Sequence, residues 1–117
     1  MSTAVKSSFL SRSRTSGGEA AEGPGPIDRF LDAVWMERGL SPNTLAAYRA
    51  DLTALDRWLD EHAGDLVHAQ RGDILSFMAS RVQAGARPRS TARQLSSFRR
   101  FYRYLVREGA LREDPTA

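Results

Sequence analysis

The chain has no cysteine and only two histidines among its 117 residues. Without thiols it can form neither a disulfide framework nor a thiolate metal site, and two histidines are too few for a metal cage. We therefore expect no metal and no cofactor. No stretch approaches the roughly 18 consecutive apolar residues of a membrane span, and no apolar run near Met1 is typical of a secretory signal. These absences predict a soluble, cytoplasmic protein that makes no membrane contact.

Acidic residues are missing from one long part of the chain. Residues 1–80 hold 8 basic and 11 acidic side chains, a net charge of −3, whereas residues 81–117 hold 9 basic and 3 acidic ones, a net charge of +6. Between Arg81 and Arg107 there are eight arginines and no carboxylate. Such a segment attracts a polyanion, so nucleic acid is the expected class of partner.

The first 25 residues differ in composition from the rest. They are rich in Ser, Gly, Ala and Arg, and their one pair of large apolar residues, Phe9 and Leu10, cannot offset the entropy lost on ordering. We predict a disordered tail over residues 1–25 and a single folded domain over residues 26–117. The start of the tail also resembles an organelle transit peptide in composition, although it lacks a clear amphipathic period.

Four segments show helical periodicity, and none shows the alternation of a strand. They are predicted at about residues 26–38, 42–61, 73–83 and 88–108, and Ser41 and Pro42 are a typical N-cap and first residue for the second. The fold class is therefore all-α. The apolar positions expected in the core are Phe30, Leu31, Val34 and Trp35; Leu45, Tyr48, Leu52, Leu55 and Leu59; Ile74, Phe77, Met78 and Val82; and Leu95, Phe98, Tyr102, Leu105 and Val106.

The last predicted helix carries a row of basic side chains opposite its apolar arc. A typical solvated face mixes both signs of charge, whereas like charges at i, i+4 repel one another when no anion is bound. The guanidinium fork bonds phosphate oxygens or the guanine edge, and a helix fits the major groove of B-DNA. We interpret the row as a DNA-binding surface, with an inert solvated face as the alternative. It consists of five arginines and one serine that share this arc: Arg89, Arg93, Ser96, Arg100, Arg103 and Arg107.

Two motifs resemble one protein family. Residues 39–52 read GLSPNTLAAYRADL, and residues 89–105 read RSTARQLSSFRRFYRYL. Both resemble the N-terminal core-binding domain of tyrosine recombinases, especially the Xer type, and Asp114-Pro115 resembles the junction to the catalytic domain. The likeness covers about residues 27–117. It implies a four-helix orthogonal, SAM-like bundle that grips one face of duplex DNA, with its second and fourth helices toward the major groove.

The resemblance also implies which residues contact DNA. Asn43, Arg49 and Arg87 match less well and are weaker candidates. Tyr48 matches a family tyrosine, but its place on the apolar stripe predicts a core residue with a polar tip. The main candidates are Thr44 on the second helix and Arg89, Ser90, Thr91, Arg93, Gln94, Ser97 and Arg100 on the fourth.

The family reaction needs a tyrosine nucleophile and cationic groups that stabilise the charge on the phosphate. These residues belong to the C-terminal catalytic domain, which we expect to be absent from this chain, so we do not predict an enzyme. His68 and Arg71 have the His-x-x-Arg form of the catalytic motif, and Tyr102 and Tyr104 follow about thirty residues later. We reject this match, since Tyr102 lies on the apolar arc and no second catalytic arginine motif precedes His68. Three carboxylates of the second helix are expected on a solvated face: Asp56, Asp60 and Glu61.

The expected partners are double-stranded DNA and, in the parent protein, other recombinase subunits that form a tetramer on DNA. The isolated domain is expected to be a monomer, with Trp35 and Trp58 as packing residues. A SAM-type helical module that binds protein instead of DNA is the alternative, and salt dependence distinguishes the two. Within the family, a phage or transposon integrase remains as open as a housekeeping Xer protein.

Overall fold

The structure, a computed structural model, describes residues 25–117. The predicted tail lies outside this range except for Gly25. The described residues form four helices and no strand: α1 (Pro26–Arg38), α2 (Pro42–Glu61), α3 (Arg71–Gln83) and α4 (Pro88–Arg107). The predicted all-α, four-helix fold is confirmed. In the range that the structure covers, no helix is sufficiently long and apolar to cross a membrane.

Local signals set the ends of the helices. The hydroxyl of Ser41 accepts a hydrogen bond from the Thr44 amide at 3.2 Å and so caps α2 as predicted. Gly39 ends α1 with a φ of 60°, a left-handed conformation that favours glycine. α3 begins two residues earlier than predicted. The reason is that the Asp73 carboxylate accepts a hydrogen bond from the Gln70 amide at 2.9 Å, which places Asp73 inside the first turn.

α2 and α4 are the two central helices of the bundle. Each packs against the other three helices, whereas α1 and α3 make no close contact with each other. Because α4 is covered from three directions, its buried surface is wider than the arc of a surface helix. Phe98 and Tyr102 are buried as predicted, and so is Phe101, which the prediction left out. Leu95 and Val106, at the edges of the predicted arc, are only half-buried.

An aromatic cluster connects α1 to the centre of the bundle. The ring of Phe30 lies 5.9 Å from that of Tyr48 on α2, and 5.5 and 5.6 Å from those of Phe101 and Tyr104 on α4, measured between centroids. These separations are typical of favourable aromatic pairs. Tyr48 is half-buried beside this cluster, in agreement with its predicted place in the core.

The outer helices α1 and α3 bury narrower stripes than predicted. Trp35 is 58% exposed and Val82 is 62% exposed, so neither belongs to the core. Each follows a core or half-buried position on a helix that packs against only two others, and the turn of about 100° per residue carries it to the surface. Trp58 is half-buried, and its indole stacks on His62 with 3.9 Å between ring centroids.

Asp56 is not on a fully solvated face. It is half-buried, whereas Asp60 and Glu61 are exposed as predicted. Burial raises the pKa of Asp56, and the negative charges of Asp60 and Asp65 raise it further. The ionised form of Asp56 is therefore disfavoured in the folded domain.

Candidate nucleic-acid interface

The predicted row of basic side chains on α4 lies at the surface. We call it the α4 basic face: Arg89, Arg93, Ser96, Arg100, Arg103 and Arg107. All six are exposed except Arg100, which is half-buried. Among the residues that the structure describes, no carboxylate forms an ion pair with Arg89, Arg100 or Arg103. Much of the positive charge of this face is thus left for an external anion.

A buried carboxylate ties α2 to the α4 basic face. Asp51 is 1% exposed, and Arg93 donates to it twice, from Nη2 to Oδ1 at 2.6 Å and from Nε to Oδ2 at 3.3 Å. The hydroxyl of Ser97 donates to Oδ2 at 2.7 Å. The hydrogen bond and the charge of Asp51 raise the pKa of Arg93. Since the Arg93 side chain remains 56% exposed, its guanidinium is fixed in orientation and still accessible.

Two of the predicted DNA contacts lie inside the bundle. Ser97 is 1% exposed and bonded to Asp51, and Gln94 is 5% exposed. The Gln94 Oε1 atom is buried and has no hydrogen-bond partner within residues 25–117. Both belong to the widened buried surface of α4, which faces neighbouring helices instead of solvent. Their burial leaves neither side chain accessible to DNA in this structure.

The hydroxyl candidates lie at the starts of α2 and α4. The Thr44 Oγ1 atom is 3.0 Å from the Ser41 hydroxyl, and the Thr91 hydroxyl donates to the Pro88 carbonyl at 3.0 Å. Thr44, Ser90 and Thr91 are all half-buried. They are reachable from outside, but Thr44 and Thr91 already hold local hydrogen bonds that a phosphate or base would have to share.

The weaker candidates differ in availability. Asn43 and Arg87 are exposed. Arg49 is also exposed, but its Nη2 atom donates to the Asp28 carboxylate of α1 at 2.8 Å. An ion pair at the surface contributes little stability, so Arg49 could exchange this carboxylate for another anion.

Of the two tyrosines in the rejected catalytic match, Tyr102 is a core residue and Tyr104 is half-buried. Tyr102 is fully buried, and its hydroxyl donates to the Leu66 carbonyl at 2.8 Å. Burial raises the pKa of Tyr102, with the Asp65 charge as the next cause. His68 is exposed, and its Nδ1 atom lies 2.9 Å from an Asp65 carboxylate oxygen. A nucleophile must be accessible and readily deprotonated, and Tyr102 is neither.

Comparison with known proteins identifies the family. The family model described as "Phage integrase, N-terminal SAM-like domain" matches residues 27–109. The chain belongs to this family of phage integrase SAM-like domains. The predicted resemblance to tyrosine recombinases is confirmed by curated relatives. The tyrosine recombinase XerD of Yersinia pestis is 50% identical over 91 residues, which cover 78% of this chain and 30% of the relative.

Two further relatives of the SAM-like domain give the same result. The tyrosine recombinases XerD of Pseudomonas putida and Pseudomonas aeruginosa are 52% and 51% identical over 90 residues, 77% of this chain and 30% of each relative. The chain thus spans about 30% of the length of these enzymes. The family model that matches this chain describes an N-terminal domain.

Asp51 is the residue of the SAM-like domain that sequence reasoning missed. It lies three residues after Tyr48 and four before Leu55, so it shares their apolar stripe on α2. A carboxylate on a buried stripe requires a cationic partner or hydrogen-bond donors. This signal was present in the sequence, but nothing in it showed that the partners would be Arg93 and Ser97, more than forty residues away.

Proposed function

We propose that this domain binds double-stranded DNA within a site-specific tyrosine recombinase. It grips one face of the duplex, with α2 and α4 toward the major groove. The observation that carries the proposal is the α4 basic face, an exposed row of arginines in which Arg89, Arg100 and Arg103 have no ion-pair partner among the described residues. Such a surface suits a regularly charged polyanion.

The contacts fall into two kinds. Arg93 is held by Asp51, so its guanidinium loses little conformational entropy when it meets a phosphate or a guanine edge. Arg89 and Arg100 are less constrained and suit the phosphate backbone, where position matters less than charge. Thr44, Ser90 and Thr91 can add hydrogen bonds to phosphate or base edges at the helix starts.

We assign the recombination reaction itself to a longer parent enzyme. The relatives are named tyrosine recombinases, and we propose that DNA strand cleavage and rejoining use a separate catalytic domain of such a protein. Residues 26–117 then form the core-binding domain, monomeric by itself, and other subunits join it in a tetramer on DNA. We place the parent in the cytoplasm, on nucleoid DNA.

The test is a fluorescence-anisotropy titration of the 117-residue chain with a labelled duplex of about 20 base pairs, at about 50 and 200 mM salt. The test variant is Arg89→Gln with Arg100→Gln. The control, Arg57→Gln with Arg112→Gln, removes the same charge from exposed positions outside the α4 basic face. Arg93 is left unchanged, because its loss would also disturb Asp51.

The wild type is expected to bind, with a logarithmic salt slope of about −0.9 for each phosphate contacted. The test variant should bind roughly tenfold more weakly and with a slope smaller by about one or two, while the control stays within about twofold. Equal losses in the two variants would show a general charge effect and count against an interface on α4.

One observation favours the alternative, a protein-interaction module. Trp35 and Met36 on α1 are 58% and 79% exposed, a large apolar surface for adjacent residues. Contact through such a surface buries apolar area and does not weaken steeply with salt. Failure of the wild type to bind duplex at low salt would favour this alternative.

A further inference from the structure

A cavity of about 270 Å³ lies between α1 and α4, on the side of the molecule that carries the α4 basic face. Four guanidinium groups and one carboxylate line it. They belong to Arg38, Arg100, Arg103, Arg107 and Glu37. Three of these arginines are part of the α4 basic face, and the fourth comes from the last turn of α1. The cavity therefore extends the basic surface onto a helix that the family resemblance did not connect with DNA.

Most of this positive charge has no internal counterion. Arg107 donates to the Glu37 carboxylate at 2.9 and 3.4 Å, and its Nε atom lies 3.5 Å from Glu108. Within residues 25–117, the other three arginines of the cavity form no ion pair. Guanidinium groups gathered in this way repel one another, and an anion that binds between them removes that repulsion.

Two aromatic side chains among the residues that line the cavity strengthen its attraction for an anion. They are Phe30, which is 1% exposed, and the half-buried Tyr104. The Arg107 guanidinium lies 5.6 Å from the centroid of the Tyr104 ring. An apolar wall has a low dielectric constant, so it concentrates the field of the surrounding charges inside the cleft. Both oxygens of the Glu37 carboxylate accept hydrogen bonds from the Arg107 guanidinium. A phosphate would bind a guanidinium in the same bidentate way.

We propose that this cavity is a subsite for a phosphate of the DNA backbone, held by Arg38 and Arg103 together with Arg100. The inference rests on the proposed function, because Arg100 belongs to both the cavity and the α4 basic face. A duplex seated on that face brings its backbone to the mouth of the cavity. Glu37 opposes the phosphate, since its negative charge lowers the local positive potential and occupies Arg107.

Two variants test the subsite in the same anisotropy titration. Arg38→Gln, which changes the one arginine of the cavity outside the α4 basic face, is expected to weaken duplex binding by about fivefold and to reduce the salt slope by about one, the contribution of one phosphate. The control Arg57→Gln makes the same charge change at another exposed position and should stay within about twofold. Circular dichroism verifies that each variant remains folded.

The second variant acts in the opposite direction. Glu37→Gln is expected to tighten duplex binding by about two- to fivefold at low salt, because it frees Arg107 and removes the opposing charge. Glu61→Gln, an equal charge change at an exposed position on α2, should alter the affinity less. Tightening by Glu37→Gln that Glu61→Gln does not reproduce supports the subsite.

The outcomes separate this inference from the proposed function. If the Arg38 variant binds like the wild type while the Arg89 and Arg100 variant is weakened, the subsite is wrong and DNA binding by α4 stands. The same pattern is expected if the cavity takes a carboxylate of another protein, which equally overturns the subsite. If the wild type itself does not bind duplex, both proposals fail.

Discussion

Replacement of Arg93 by alanine should destabilise the domain far more than its exposed position suggests. The change removes two of the three side-chain hydrogen bonds to Asp51, a carboxylate that is 1% exposed. Removing one partner of a fully buried ion pair costs about 3–5 kcal/mol. Because Arg93 is 56% exposed and water can enter the space it leaves, we expect a smaller loss, about 2–3 kcal/mol.

The measurement is urea or thermal unfolding followed by circular dichroism at neutral pH. In a domain of this size a loss of about 2–3 kcal/mol corresponds to a Tm lower by roughly 8–20 °C. The matched control is Arg100→Ala, which removes an arginine of the same face without an ion pair and should change stability by less than about 0.5 kcal/mol.

A second substitution isolates the cause. Adding Asp51→Asn to Arg93→Ala removes the unpaired charge and should restore part of the lost stability, since a neutral amide is less costly to bury than a carboxylate. If Arg93→Ala is as stable as Arg100→Ala, the Asp51 carboxylate does not depend on Arg93, and the account of a preoriented guanidinium is refuted.

Three further changes test the packing and the charges. Asp56→Asn should stabilise the domain by about 0.2–0.5 kcal/mol at neutral pH, because it removes a half-buried charge and the repulsion of that charge by Asp60 and Asp65. Folding raises the pKa of Asp56, so the free-energy cost of its charge is present above the folded pKa and disappears below the unfolded value of 3.8. The stability gained by Asp56→Asn should therefore vanish in an acid unfolding series. Tyr102→Phe should cost about 1–2 kcal/mol in urea unfolding, since it leaves the buried Leu66 carbonyl without its hydrogen bond. Trp35→Ala should cost less than about 1 kcal/mol in thermal unfolding, whereas Phe30→Ala should cost about 3–5 kcal/mol.

Each of these has a result that contradicts it. A gain from Asp56→Asn that persists at acidic pH would mean that the charge of Asp56 is not its cause. A Tyr102→Phe variant as stable as the wild type would show that the Leu66 carbonyl finds another donor. Equal losses from Trp35→Ala and Phe30→Ala would place Trp35 in the core, against its exposure in the structure.

Features set by neighbours in the sequence were predictable from it. The N-cap at Ser41 and the limits of α2 agree with the prediction to the residue, because they depend on a cap, a proline and a short-range apolar period. The surface position of the α4 basic face followed from the same helical period. For α1 and α3, the apolar period predicted which side of the helix is buried but not how wide the buried stripe is. Trp35 was therefore wrongly predicted to lie in the core.

Features that join distant segments were not predictable in this way. The burial of Gln94, Ser97 and Phe101 follows from the central position of α4, which depends on how all four helices pack. The ion pair between Asp51 and Arg93 and the cavity between α1 and α4 each bring together residues from separate helices. The apolar period is a property of each helix by itself and does not depend on which side chains of separate helices meet.

Because α4 forms part of the core, the backbone that carries its exposed arginines stays in place as long as the core is folded. The same twenty residues of Pro88–Arg107 supply three of the four largest fully buried side chains, Tyr102, Phe98 and Phe101, and the row of arginines on the opposite side. Because α4 contacts all three other helices, its detachment would disrupt much of the core, so the amide hydrogens in its middle should exchange with solvent among the slowest of the described residues. A surface arranged in this way keeps its shape before any anion arrives, and a single-residue insertion in α4 would turn both of its faces out of register at once.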